Sequence, residues 1–421
     1  MKPLFVFLVV FFTLLSSLVK ADTDYSMIKR KLQNRKAGLT SQLTHKKLER
    51  AFSFAKREKY AHAQEVLIEL LKLTKNRPYE YAQIWQHLGF ILAQKGEMPK
   101  AIKALENSLA LESLPYQQTL SSLYTISQLY MALEKWNEAH ATMSKWVGLA
   151  EVPTAESYIM MGSILSQLEK KESALQYVNE AIKMSEKPQE KWLQFALALN
   201  HELKNYDNAL KLLVILTASF PQNDKYWKQM ASTYLSMNQD LKALTTMELA
   251  YKMNFIKDEK ELLNLASLYI YLDMPIKGAM LIENEIKNQR IKPDVKNLEL
   301  LSQAWLQARE FKQGLLALKS AAELAPQGEL HARVGFLMLE KEEWSEAEKF
   351  LQAGIKKGSL KKPEKVHLAM GIARYNQKNK EGALSALYHA RKLANEDKSI
   401  NQWIEQIKME QVALNENSTS I

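Results

Sequence analysis

Eight histidines are the side chains best suited to metal or proton chemistry in this chain: His45, His62, His87, His140, His201, His331, His367 and His389. A metal site on one helix face asks for ligands at i and i+4. No two of these histidines have that spacing. Cysteine is absent, which removes thiolate nucleophiles, cysteine-ligated metals and disulfides together. Ser53-Phe54-Ala55-Lys56 has the Ser-x-x-Lys spacing of some acyl-transfer enzymes, but the partner motifs of that chemistry are missing. There is no Gly-rich phosphate loop and no Gly-x-Ser-x-Gly elbow either. No catalytic residue, metal or cofactor is expected, and the function is sought in a surface.

That surface must be built by repetition. A small residue returns every 33 to 38 positions: Ala63, Ala101, Ala139, Ala174, Ala209, Ala243, Gly278, Gly314, Ala347 and Ala383. Twelve positions earlier lies a second residue, mostly small, such as Gly89, Ser127, Gly162, Ala231, Ala266, Ser302, Gly335 or Gly371. Larger apolar residues sit nine and three positions before the small residue and four and seven after it, as Tyr234 or Trp305, Trp136 or Tyr206, and Leu213 with Leu216. Spacings of three, four and seven place each set on one helical face. Two such faces separated by a break near Lys95-Gly96-Glu97, Glu134-Lys135 or Lys204-Asn205 predict an antiparallel helix pair whose closest crossing admits only Ala, Gly or Ser.

Proline placement agrees with this division. Pro78, Pro115, Pro153, Pro188, Pro221, Pro293, Pro326 and Pro363 fall between hairpins, and Pro99 and Pro275 fall at the start of a second helix, where the ring costs nothing. A chain of 421 residues ordinarily divides into two or three globular domains, but repeats that touch only their neighbours escape that size limit. One array is expected over residues 44–394. Trp403, Ile404 and Ile407 predict an amphipathic capping helix within 395–421, followed by a polar tail.

The repeat resembles the tetratricopeptide repeat. Trp85-Gln86-His87-Leu88-Gly89 with Ala101, and Trp227 with Tyr234, Ala243 and Ala250, carry the likeness, and Phe220-Pro221 and Ala325-Pro326 supply the closing step. The resemblance covers about ten repeats and implies an all-α, right-handed superhelical solenoid that holds protein partners. Projecting the pattern onto each first helix puts Phe52, Phe90, Tyr124, Met131, Leu263, Ile270, Tyr271, Leu306, Phe336, Leu339, Ile372 and Tyr375 on the inner wall as candidate partner-binding residues. Lys225, Lys228, Lys260, Lys296 and Lys365 rim it. Apolar side chains in a groove suit capture of a peptide or helix; stacking against the next repeat would bury them instead. The family's carboxylate clamp pairs a lysine with an asparagine, and here Ser232 follows Lys228 at the asparagine's place.

The amino terminus carries a second signal. Lys2, an uncharged apolar run from Pro3 to Val19, and Val19-Lys20-Ala21 read as a cleavable export signal over residues 1–21; a retained membrane anchor is the alternative. A basic lead-in follows over 22–43. Between Met27 and Lys59 the basic residues Lys29, Arg30, Lys31, Arg35, Lys36, Lys46, Lys47, Arg50, Lys56, Arg57 and Lys59 face only Glu49 and Glu58. The formal net charge is +10, so most of the excess is gathered here. The expected partner is an anionic membrane surface or an acidic protein, against the alternative of a solvated lead-in with no target. Nucleic acid is not expected to meet an exported chain.

Linear wording across repeats adds a narrower resemblance. Leu88-Gly89 to Ala110, Leu262 to Glu285, Asn297-Leu298-Glu299-Leu300-Leu301 to Phe311, and Trp403-Ile404 are similar to the periplasmic tetratricopeptide proteins associated with TonB energy-transducing systems of gamma-proteobacteria. That likeness implies a non-catalytic periplasmic adaptor of the inner-membrane TonB complex, serving uptake of iron carriers or haem. Two alternatives stand beside it: a scaffold for another envelope assembly (outer-membrane biogenesis, peptidoglycan synthesis or secretion), and an enzyme subunit with an unrecognised site.

Overall fold

The computed structural model describes residues 25–394 and 397–419, with side chains through Val412. The export signal expected over residues 1–21 lies outside the described residues. Among these residues the regular elements are 22 helices, and none is long and apolar enough to cross a membrane. The chain divides into two compact units, residues 1–216 and 217–421.

The first unit stacks five hairpins: Gln42–Lys56 with Tyr60–Thr74, Pro78–Gln94 with Met98–Ala110, Tyr116–Ala132 with Trp136–Leu149, Ala155–Gln167 with Lys171–Lys183, and Glu190–Glu202 with Tyr206–Ser219, whose last turn passes the unit boundary. The second holds Asp224–Ser236 with Asp240–Lys252, Glu259–Tyr271 with Pro275–Lys287, Val295–Gln307 with Phe311–Leu324, Glu329–Glu340 with Trp344–Lys357, and Pro363–Asn376 with Lys380–Leu393. Helices pack most extensively within a hairpin and next against the neighbouring hairpin. The ten small residues are all buried in these crossings.

Contacts at the crossings explain why size is restricted. A Cβ added to Gly89 would lie 2.5 Å from Cγ of Leu105 and 3.2 Å from the Ala101 carbonyl oxygen. Gly335 and Gly371 meet Leu351 and Leu387 in the same way. Where serine takes this place, its hydroxyl uses the close approach: Ser127 Oγ donates to the Ala139 carbonyl at 3.1 Å, and Ser302 Oγ to the Gly314 carbonyl at 2.8 Å.

Each hairpin also turns by the same device. Five positions before every small residue the backbone is left-handed, at Glu58, Gly96, Glu134, Glu169, Lys204, Asn238, Asp273, Arg309, Glu342 and Lys378, with φ between 55° and 84°. The next residue's N–H returns to the first helix, as Lys135 N to the Tyr130 carbonyl at 2.9 Å, closing a Schellman turn. Only one of the ten is glycine, and the others hold a side chain where the backbone disfavours one. Glu134→Gly is therefore expected to stabilise the first unit by about 0.5–1 kcal/mol, read as a higher urea midpoint with unchanged slope; a lower midpoint would show that the turn is not strained.

The two chain ends are treated differently. In the second unit Ile400, Ile404 and Ile407 of the helix Lys398–Thr419 bury themselves against Ala383, Leu387 and Ala390. In the first unit the short helix Ser26–Gln33 lies against the third hairpin. Leu32 is buried with Leu120, Leu123 and Leu149, and the Lys29 ammonium donates to the Ala150 carbonyl at 2.9 Å, at the electronegative end of the helix Trp136–Leu149. Arg35 donates to the Leu114 carbonyl at 3.2 Å, and Ser41 N to Glu80 Oε1 at 3.0 Å.

Candidate functional site

An apolar recess in the second unit opens between two consecutive first helices, Asp224–Ser236 and Glu259–Tyr271. It has a volume of about 530 Å³. Trp227, Ala231, Ser232 and Leu235 line one wall and Asn264, Ser267, Leu268 and Tyr271 the other; steps of three and four keep each set on one helix face. Met247 and Ala250 of the intervening second helix, with Ile256 from the loop, form the floor.

The recess exists because side chains are missing there. Eleven positions before the small residue stand Phe52 and Phe90 in the first two hairpins, but Ser232 and Ser267 in the sixth and seventh. The helix Glu259–Tyr271 continues it toward the next first helix, Val295–Gln307: Asn264 and Ser267 also line a polar recess of about 750 Å³ shared with Leu263, Asn297, Leu300 and Gln303. Together these make one trough across three first helices, apolar at one end and amide-rich at the other. A smaller recess of about 330 Å³ in the first unit is lined by Tyr124, Gln128, Met131, Ile159 and Trp192 among others.

One ion cluster borders the apolar end. Lys228 Nζ lies 2.9 Å from Asp224 and 2.8 Å from Glu261. Burial alone would lower its pKa, and the hydrogen bonds to Glu261 and Asp224 more than reverse this, so it stands above the ordinary lysine value. Lys228 holds the Asp224 carboxyl below its usual range chiefly by hydrogen bonding. Two carboxylates face the one ammonium, and Glu261 Oε2 is buried without a hydrogen-bond partner. The cluster is an acceptor. A cation already engaged twice is poorly placed to clamp a ligand carboxylate, in keeping with Ser232 at the clamp's second place. Among the described residues no group of His, Asp and Glu could hold a metal ion. His87, packed edge-on against Phe52 at 4.8 Å, is held down at about 4 by burial.

The twelve candidate groove residues are placed in several ways. Tyr271 (71% exposed) stands at the apolar recess, Leu263 lines the polar one, and Tyr124 and Met131 line the recess of the first unit. Phe52 is exposed, while Phe90 packs on the core of the first unit. Ile270 and Leu306 lie against Gly278 and Gly314, filling the room that the absent methyl leaves. Phe336 and Leu339 pack on a core shared between their own hairpin and the next, with Val366, Ala369 and Met370, and Ile372 is partly buried. Tyr375 is covered by the carboxy-terminal helix: its hydroxyl donates to Glu410 at 2.6 Å and its ring meets Trp403 at 5.5 Å.

The basic segment is divided as well. Lys29, Lys31 and Arg35 bond to Ala150, Glu112 and Leu114 of the same unit, and Lys47 pairs with Glu69. Arg30, Lys36, Lys46 and Arg50 remain exposed. Leu235, Asn264 and Leu268 were not singled out from the sequence, and Trp227 was read there only as part of the repeat pattern; the serines facing them were the available signal.

Comparison with known proteins fits the geometry. Residues 155–188 match the family model of the tetratricopeptide repeat. That stretch carries a tetratricopeptide repeat. It is similar, at 29% identity over 110 residues, to the BBSome complex member BBS4 homolog of Drosophila melanogaster; the match spans 26% of this chain and 22% of the fly protein. A tetratricopeptide repeat protein from Parabacteroides merdae is 15% identical, with 68% of this chain and 94% of that one covered at a TM-score of 0.39. YrrB, described as a TPR protein with an unusual peptide-binding site, is 18% identical, with 47% and 96% covered at a TM-score of 0.38. Likenesses this distant carry no argument about function. The repeat itself is that of a protein-interaction scaffold.

Proposed function

We propose that this tetratricopeptide-repeat chain is an exported adaptor of the periplasm, and that the trough across Asp224–Ser236, Glu259–Tyr271 and Val295–Gln307 holds a segment of a partner protein. The observation that carries this is the apolar recess at hairpins six and seven, open where Ser232 and Ser267 replace phenylalanine. Its occupant inserts an apolar side chain beside Leu235 and Leu268, next to the Asp224–Lys228–Glu261 cluster. Buried donors and acceptors at such a site discriminate between ligands more sharply than apolar area does.

For the partner, the apolar amino-terminal run and the resemblance to TonB-associated repeat proteins favour the inner-membrane TonB complex. The fly relative is by name a complex member, which accords with an assembly role. In a deletion strain, growth on an iron carrier as sole iron source is expected to fall and growth on excess inorganic iron to be normal. Equal growth on both, with co-purification of another envelope assembly, would move the adaptor there.

A further inference from the structure

We infer that the amino-terminal end of the first unit docks on an anionic phospholipid bilayer. In a stack of hairpins each first helix is covered on one side by the hairpin before it. Among the described residues Gln42–Lys56 opens the stack with no hairpin before it, and residues 25–41 do not take that place. They run away over the second and third hairpins, where Leu32, Lys29, Arg35 and Gly38 against Tyr79 fasten them.

What stays bare is apolar and cationic together. Leu43 (55% exposed), Lys46 and Arg50 follow at three and four residues on one face of the opening helix, opposite the buried Thr44, Leu48 and Ala51. Lys36 and Leu39 (97% exposed) lie in the segment leading into it. The three cations form no ion pair with the chain's own carboxylates among the described residues. Leucines between cations that hold no ion pair, Arg50 resting over the Phe54 ring at 5.7 Å, match a bilayer interface, where the charges meet phosphate and the leucines enter the headgroup boundary. An acidic protein surface would be met by the charges alone.

The test is flotation of the chain, as recovered from cells, with vesicles of pure phosphatidylcholine or of phosphatidylcholine with one third phosphatidylglycerol. The readout is the ratio of the two partition coefficients, to which any retained leader contributes equally. A ratio well above one is expected, collapsing toward one in half-molar salt. Each cation accounts for about fivefold, so K36Q/K46Q/R50Q should lower the ratio at least about tenfold. L39S/L43S should weaken binding to the anionic vesicles and leave its salt dependence in place. K287Q/K349Q/K392Q, three exposed lysines of the second unit, should change nothing. A ratio of one in the unaltered chain, or an equal loss in the second-unit control, would overturn the proposal; so would full competition by soluble polyglutamate with no response to the leucine changes. Circular dichroism melts of each variant keep loss of binding apart from loss of fold.

Discussion

Ala174→Leu destroys cooperative folding of the first unit, at a cost of about 3 kcal/mol or more, the upper end of what overpacking does in a core. Ala174 is fully buried. Its carbonyl oxygen lies 3.2 Å from where a Cβ on Gly162 would sit, and the Val178 methyl lies 2.7 Å from the same point. Three added carbons find no empty volume, so the two helices must part. Because each hairpin is stabilised through its neighbours, the loss spreads to hairpins three and five. Gln176→Leu, two residues away on the exposed face, should move stability by less than about 0.5 kcal/mol. Chemical denaturation followed at 222 nm separates the two, and a cooperative transition of the Ala174 variant within about 1 kcal/mol of the parent, about the error of such fits, would show that the crossing is looser than the distances say.

Ser267→Phe abolishes partner capture and leaves the fold intact. The substitution places in hairpin seven the residue type that Phe52 and Phe90 supply at the same register in hairpins one and two. A phenyl ring there occupies space shared by both recesses of the trough. Truncating the exposed Tyr271 to alanine should act through contact alone and weaken binding by about 2 kcal/mol, roughly thirtyfold, if it anchors the partner as interface tyrosines do. Its exposure predicts almost no change in stability. Pull-down of envelope proteins with each variant, alongside a melt, reads both quantities. Unchanged capture by Ser267→Phe would place the binding surface elsewhere.

The hairpins were legible in the sequence because they rest on local physics. Small residues at a period of 33 to 38 and prolines between hairpins leave little freedom in pairing the helices, and the family match at residues 155–188 falls on one full repeat. The turn was less legible. Nine of the ten left-handed positions carry Glu, Lys, Asn, Asp or Arg, so glycine marked only the one at Gly96.

The groove was legible only in part, for a definite reason. Reading large apolar residues finds side chains that want burial, and Ile270, Leu306 and Tyr375 obtain it from Gly278, Gly314 and the carboxy-terminal helix. A recess is made by what is small, and Ser232 and Ser267 give no hydrophobic signal. Charge counting had a matching limit: it registered the surplus between Met27 and Lys59, whereas Lys29, Lys31, Arg35 and Lys47 are engaged by groups up to 121 residues away in sequence.

The most direct test of the adaptor reading is photocrosslinking in living cells from a benzoyl-phenylalanine placed at Tyr271, with the captured protein identified by mass spectrometry. Capture of a component of the TonB complex from Tyr271, lost when Ser267→Phe is added and absent from a probe at the outward-facing Gln176, is the expected result. Capture of that component from Gln176 with none from Tyr271, or no capture of it from any position, would contradict the account.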